Sequence, residues 1–132
     1  MLLRIHHTAL ICGDYARSRR FYTEVLGLRI VAENFREARR SWKLDLALSD
    51  GGQVELFSFP DAPRRPSHPE ARGLRHLAFA VADLDAAIAH LATHGVVVEP
   101  MRTDEYTGRR FTFFADPDEL PLELYEVGTP AG

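Results

Sequence analysis

Two stretches of this chain carry nearly the same text, and a chain that repeats itself has to fold as two copies of one unit. Ile5-His6-His7-Thr8-Ala9-Leu10-Ile11-Cys12-Gly13-Asp14 is matched by Leu74-Arg75-His76-Leu77-Ala78-Phe79-Ala80-Val81-Ala82-Asp83. With His7 laid on His76, Asp14 falls on Asp83 at the same offset of 69. Gly27 and Gly95 lie 68 apart, as do Glu55 and Glu123, so one indel separates the copies.

Each copy reads as strand, helix, strand, strand, strand. In the first, over residues 4–59, Ile5 to Ile11 is a strand and Asp14 caps a helix carrying Ser18, Phe21, Tyr22 and Val25, with Gly27 at its end. Strands follow at Leu28 to Phe35, at Trp42 to Leu48 and at Gln53 to Phe59, with a charged turn over Arg36 to Arg40 and a hairpin signal at Asp50-Gly51-Gly52. Residues 60–73 hold four of the eight prolines, which no helix interior or central strand tolerates, and form the linker. The second copy, over 74–127, has strands at Leu74 to Ala82, Val96 to Met101, Arg110 to Ala115 and Leu120 to Val127, with a helix from Asp83 to Gly95. Thr129 to Gly132 reads as a frayed tail. The class is α+β, one domain over 1–132 made of two βαβββ modules.

Composition excludes more than it assigns. Net charge is −3 without a basic stripe, which argues against nucleic acid. Cys12 is alone, so there is no disulfide framework. Arg4, His6 and His7 interrupt the N-terminal apolar run, so it is not a signal peptide, and no apolar run reaches bilayer length. The expectation is a cytoplasmic protein with no membrane partner. Lys43 is the only lysine beside fifteen arginines. That bias reads as coding preference, with a secondary use for arginine in holding an anionic ligand.

Side chains alternate across a strand. His7, Ala9 and Ile11 share one face of the first strand, and His76, Ala78 and Ala80 share one face of its repeat. Glu55 lies with Phe57 and Phe59, and Glu123 with Tyr125, opposite the leucines and valines that pack on the helices. A carboxylate set among such neighbours is costly unless paired. A divalent ion held by His7, Glu55, His76 and Glu123 supplies the pairing. Two nitrogen and two oxygen donors suit zinc, nickel, cobalt, iron or manganese. His6 falls off that face as an exposed edge residue, His90 and His94 lie on a helix and its end, and His68 lies in the linker.

At these residues the chain resembles the vicinal oxygen chelate superfamily of glyoxalase I, fosfomycin-resistance proteins and extradiol dioxygenases. The carriers are His7-Thr8-Ala9-Leu10, Ser18 to Tyr22 leading to Val25-Leu26-Gly27-Leu28, Glu55-Leu56, Arg75 to Phe79, and Asp116-Pro117-Asp118 before Leu122-Glu123-Leu124. The resemblance implies paired βαβββ modules closing a cup-shaped mixed sheet around one metal ion, with helices on the outer face. The His–Glu–His–Glu order resembles the bacterial glyoxalase I type, which implies zinc or nickel before cobalt, manganese or iron. It also implies a lyase or isomerase that stabilises an enediolate on the metal, with Glu123 as general base and Glu55 as its partner across the site. The resemblance further implies a small-molecule substrate and a homodimer, since glyoxalase-like relatives commonly assemble as C₂ dimers.

The resemblance departs at one point. Glyoxalase I grips the glutathione carboxylates four residues after its first and second ligands, where this chain has Ile11 and Phe59. Apolar groups cannot pair a carboxylate, which argues against glutathione as carrier. Arg36-Glu37-Ala38-Arg39 and Arg110 to Phe114 resemble segments of glyoxalase-like proteins without an assigned substrate. Phe57, Tyr125, Trp42 and Phe113 are candidates to wall a substrate, and Arg75, Arg110 and Arg36 to hold an anionic one. The alternatives are an extradiol-dioxygenase-like or thiol-transferase-like metalloenzyme, and a small-molecule-binding resistance protein.

Overall fold

In a computed structural model, which describes residues 1–128, the chain divides into two compact units, Met1–Arg64 and Arg65–Gly132. The tail read at 129–132 lies outside the described residues. Each unit is built as its sequence predicts, a βαβββ module with one four-stranded mixed sheet, and neither sheet closes into a barrel.

In the first unit β1 (His7–Cys12) leads to α1 (Tyr15–Arg20). The Asp14 carboxylate accepts the Arg17 amide at 3.1 Å and caps the helix. α1 then widens into a π turn over Phe21–Val25 that carries the fully buried Tyr22, and the chain leaves it through Gly27 at φ +76°. β2 (Arg29–Arg36), a single 3₁₀ turn, β3 (Ser41–Ala47) and β4 (Gln53–Ser58) complete the sheet in the order β1-β4-β3-β2. β1 runs parallel to β4, with Ala9 opposite Glu55, and the other pairs are antiparallel.

Alternation sorts the two faces of this sheet. Leu10, Cys12, Leu44, Leu46, Val54 and Leu56 are buried on the helix side. Removing their surface from water drives the packing, at roughly 1.5–3 kcal/mol for each large side chain. Tyr15 donates to Glu33, and Arg19 donates to Glu33 at 2.8 Å, so α1 is tied to β2 by polar groups as well. Burial first, then the Glu33 carboxylate, raises the Tyr15 phenol above its ordinary value.

The second unit repeats the plan with β5 (Leu77–Val81), α2 (Leu84–Thr93), β6 (Arg102–Thr103), β7 (Arg110–Ala115) and β8 (Pro121–Glu126), in the order β5-β8-β7-β6. Asp83 caps α2 as Asp14 caps α1, accepting the Ala86 amide at 3.1 Å. Leu84, Leu91, Phe114, Leu122 and Leu124 form the core beneath α2.

Two strands differ from their sequence expectations. Residues 96–101 are not a strand, and the sixth strand is only Arg102–Thr103. The Glu99 amide does reach the Phe113 carbonyl at 2.9 Å, and Thr112 Oγ donates to the Glu99 carbonyl at 2.7 Å. Pro100 has no amide to continue a ladder, so regular pairing begins only after it. The fifth strand is also shorter than expected. Its parallel ladder starts at Leu77 opposite Leu122, which leaves His76 immediately before the strand.

Among the described residues, no helix is long and apolar enough to cross a membrane.

Candidate metal and substrate site

The sheet face away from the helix carries a His–Glu pair in each unit. In the first, β1 brings His7 and β4 brings Glu55 together, with His7 Nδ1 3.4 Å from Glu55 Oε2. Glu55 is only 9% exposed although it is a carboxylate. Two more charged groups share this face through β3. Asp45 is the register partner of Glu55, and Lys43 is the register partner of Phe57. Lys43 Nζ lies 2.6 Å from Asp45 Oδ1 and 3.8 Å from Glu55 Oε1. His6 is exposed, as expected, but its Nδ1 reaches His7 Nδ1 at 2.9 Å, so it bears directly on the candidate ligand.

In the second unit His76 Nε2 lies 2.9 Å from Glu123 Oε2, and the edge of the His76 ring meets Phe113 with centroids 5.0 Å apart. Ala78 pairs with Glu123 in the β5–β8 ladder, as Ala9 pairs with Glu55 in β1–β4. The same parallel register thus produces a His–Glu pair twice. Small alanines beside each glutamate leave the carboxylate room on that face.

Both pairs join an imidazole nitrogen to a carboxylate oxygen at hydrogen-bonding or ion-pair distance. Such donors suit a borderline divalent ion. Each pair is two donors, and among the described residues no group of three or more His, Cys, Asp or Glu side chains gathers as an ion site.

The other sequence candidates separate by face. Phe57 stacks on Phe59 with centroids 6.1 Å apart and lies on the Glu55 face. Tyr125 lies on the Glu123 face and donates to Asp104 Oδ2 at 2.9 Å. Asp104 is held below its ordinary carboxylate value by the Tyr106 amide first and then by the Tyr125 phenol. Trp42 points to the helix side, stacked on Tyr15 at 5.0 Å and 7°. Arg110 also lies on the helix side, 2.8 Å from Glu126 Oε2 and 3.1 Å from Asp85 Oδ2. Glu126 accepts the Leu84 amide at 2.7 Å as well, so Arg110 and Glu126 brace the start of α2. Arg110, then that amide, hold the Glu126 carboxyl down to about 2, and both carboxylates raise Arg110.

Arg75 lines a cavity of about 970 Å³ in the second unit, together with His76, Phe113, Arg102 and the chain from Arg65 to Leu74. Arg36 lies over Phe57, with its guanidinium carbon 5.1 Å from the ring centroid, and Arg39 lies 5.0 Å from the centroid of Phe59. The surroundings of Phe59 are therefore not purely apolar, as its residue type alone suggests. The 3₁₀ turn folds arginines back over it.

The model of the Glyoxalase/Bleomycin resistance protein/Dioxygenase superfamily matches residues 4–124. The chain belongs to that superfamily. It is 60% identical to the uncharacterised protein YaeR of Escherichia coli (strain K12), over 95% of this chain and 97% of that one. A 2-epi-5-epi-valiolone epimerase of Actinomyces sp is 33% identical, over 97% of this chain and 80% of its own. A lactoylglutathione lyase of Pseudomonas aeruginosa is more distant, 28% identical over 92% and 81% of the two chains. Among solved structures, SMU.1112c superposes with a TM-score of 0.91 at 44% identity, covering 96% of this chain and all of that one. A glyoxalase family protein from Enterococcus faecalis superposes with 0.87 at 46% identity, covering 93% and 97%.

Sequence reasoning missed Lys43, Asp45 and the reach of His6. The alternation with Leu44 and Leu46 already put Lys43 and Asp45 opposite the packed face. The lysine was also conspicuous in an arginine-rich chain.

Proposed function

We propose that this superfamily member is a metal-dependent lyase or isomerase of glyoxalase I type, acting in the cytoplasm on a small substrate with two adjacent oxygens. The observation that carries the reading is the twofold occurrence of a half-buried His–Glu pair at one register position of a repeated module. On this reading His7, Glu55, His76 and Glu123 serve one divalent ion, zinc or nickel first. When bound, the ion supplies Lewis acidity, polarising adjacent substrate oxygens so that a neighbouring C–H becomes acidic. Glu123 takes that proton and returns it to the adjacent carbon, whereas inversion at the same carbon takes a second proton donor on the opposite face, the role open to Glu55. Glu55 stands as its counterpart. Phe57, Tyr125 and Phe113 wall the substrate and exclude water. Arg75, in the cavity beside His76, turns a charged end of it.

The name of the epimerase relative supports the same proton-transfer chemistry, because epimerisation next to a carbonyl also removes and returns a proton at carbon. The name of the lyase relative supports it equally. Ile11, 59% exposed on the His7 face, leaves glutathione without a carboxylate partner at that position. Losing that one charge-assisted contact should put the glutathione adduct of methylglyoxal about ten- to a hundredfold in kcat/KM below a dedicated glyoxalase I.

The test is solvent deuterium exchange, followed by NMR. The panel holds the methylglyoxal–glutathione hemithioacetal, methylglyoxal, dihydroxyacetone and catechol, with nickel, zinc or manganese added in turn. The reading predicts metal-dependent exchange at carbon in a small carbonyl substrate, abolished by Glu123→Gln. Oxygen uptake with catechol and no exchange in any carbonyl compound would contradict it in favour of a dioxygenase.

A further inference from the structure

The two sheet faces are built on one plan but differ in charge, and the difference is concentrated in the first unit. Counted back by 68 residues, Phe111 and Phe113 of β7 stand where Lys43 and Asp45 stand in β3, and the register confirms the match. Lys43 pairs with Phe57 and Asp45 with Glu55, while Phe111 pairs with Tyr125 and Phe113 with Glu123. A group needed only to build the module should recur in both copies. These charges do not.

Around the Phe57 and Phe59 rings the first unit gathers three cations. Arg36 lies 5.1 Å from the Phe57 centroid and 5.9 Å from that of Phe59. Arg39 lies 5.0 Å from the Phe59 centroid, and Lys43 Nζ 6.0 Å from that of Phe57. Lys43 is matched by Asp45. Arg36 donates to the Ser41 hydroxyl at 3.1 Å, but its Nε is buried with no hydrogen-bond partner. Among the described residues neither Arg36 nor Arg39 has a carboxylate partner. The comparable cation of the second unit, Arg102, also lies over two rings, at 5.3 Å from Phe111 and from Phe113, but is paired with Glu99 at 3.2 Å. A buried donor of a charged group is costly to leave unmade, and native structures seldom do so without a use for it.

We propose that Arg36 and Arg39, seated on the Phe57 and Phe59 rings with Lys43 beside them, form a subsite for an anionic group of the substrate, a carboxylate or a phosphoryl. This rests on the proposed metal function and names its substrate class. Planar guanidinium groups donate to such oxygens in pairs, and the rings beneath hold the forks in place while shedding water. Glu55 lies two residues from Phe57 on the same face of β4, so a substrate chelating at the His7–Glu55 pair has its next substituent over these rings.

Three hydroxamates that chelate through the same two adjacent oxygens test the subsite. They are acetohydroxamate with a neutral arm, malonomonohydroxamate with a carboxylate arm, and phosphonoacetohydroxamate with a phosphonate arm. Dissociation constants are measured by calorimetry on the metal-loaded protein and on its Arg36→Gln, Arg39→Gln and double variants, with metal content and melting temperature as checks on folding. At least one charged arm should tighten binding by about tenfold or more, the effect of one charge-assisted contact. The double variant should lose that gain while acetohydroxamate changes by less than about threefold. Which arm gains distinguishes carboxylate from phosphoryl recognition. Equal binding of all three to the wild type, or a gain that survives in the double variant, would overturn the subsite and leave the metal function standing. Acetohydroxamate binding that does not depend on metal would overturn the metal function and this proposal together. Should Arg36→Gln fail to fold, the exposed Arg39→Gln alone should still remove part of the gain, and no loss there would overturn the proposal.

Discussion

Glu55 and Glu123 occupy strand positions flanked by buried leucines and valines, yet each keeps an imidazole within reach. Replacing Glu123 with Gln keeps the side-chain shape and removes the base. The proposed chemistry then predicts a fall of about 10²–10⁴ in kcat. Metal content, read by elemental analysis, should drop less than in Glu123→Ala. His76→Ala removes a nitrogen donor and should weaken metal affinity by well over about tenfold, since even outer-shell groups contribute that much. The pairing of His7 with Glu55 and of His76 with Glu123 was legible because the repeat supplied a second instance of each residue. Arg36 was less so. Its sequence neighbours mark a charged turn, and only the 3₁₀ turn shows its guanidinium folded over Phe57 rather than out in water. Trp42 misled for a different reason. Its aromatic character suggested a substrate wall, but it alternates in step with the buried Leu44 and Leu46 and so takes the face that packs on Tyr15.

At the level of elements, α2 depends on its first turn. Asp83→Ala removes the cap on the Ala86 amide and should cost about 1 kcal/mol in chemical denaturation. Leu84, fully buried beneath that turn, should cost about 2–5 kcal/mol when cut to Ala. The Glu126–Arg110 tie gives the same turn a pH dependence. A carboxylate held below its unfolded value adds stability that is complete above the ordinary value of 4.5. That contribution fades as pH falls from there and is gone below the folded value of about 2. Arg110→Ala should therefore flatten the loss of stability across that acid range, measured by urea denaturation at stepped pH. A slope unchanged from wild type would remove Glu126 as its source. Helix caps and strand alternation were readable here because both are local. The short sixth strand was not, since Val96-Val97-Val98 has high strand propensity and only Pro100 in place shows where the ladder starts.

At the scale of the whole molecule, the repeat determines more than any single motif. It predicts two like modules, and two like sheets are found, each with its first strand at one edge. Edge strands and the exposed Leu2, Leu3 and Ile5 ask for a cover. A C₂ homodimer would supply that cover, and sedimentation equilibrium should then give twice the 14.9 kDa chain mass. A monomer at all concentrations would count against it. Metal stoichiometry tests the paired-ligand reading most directly. Native mass spectrometry of protein loaded with nickel or zinc and then dialysed should find one ion per chain, and none in His7→Ala or His76→Ala. One ion per chain follows whether the four ligands come from one chain or from two. Two ions per chain, each lost with its own histidine, or one ion that survives both substitutions, would contradict a single centre built from both pairs.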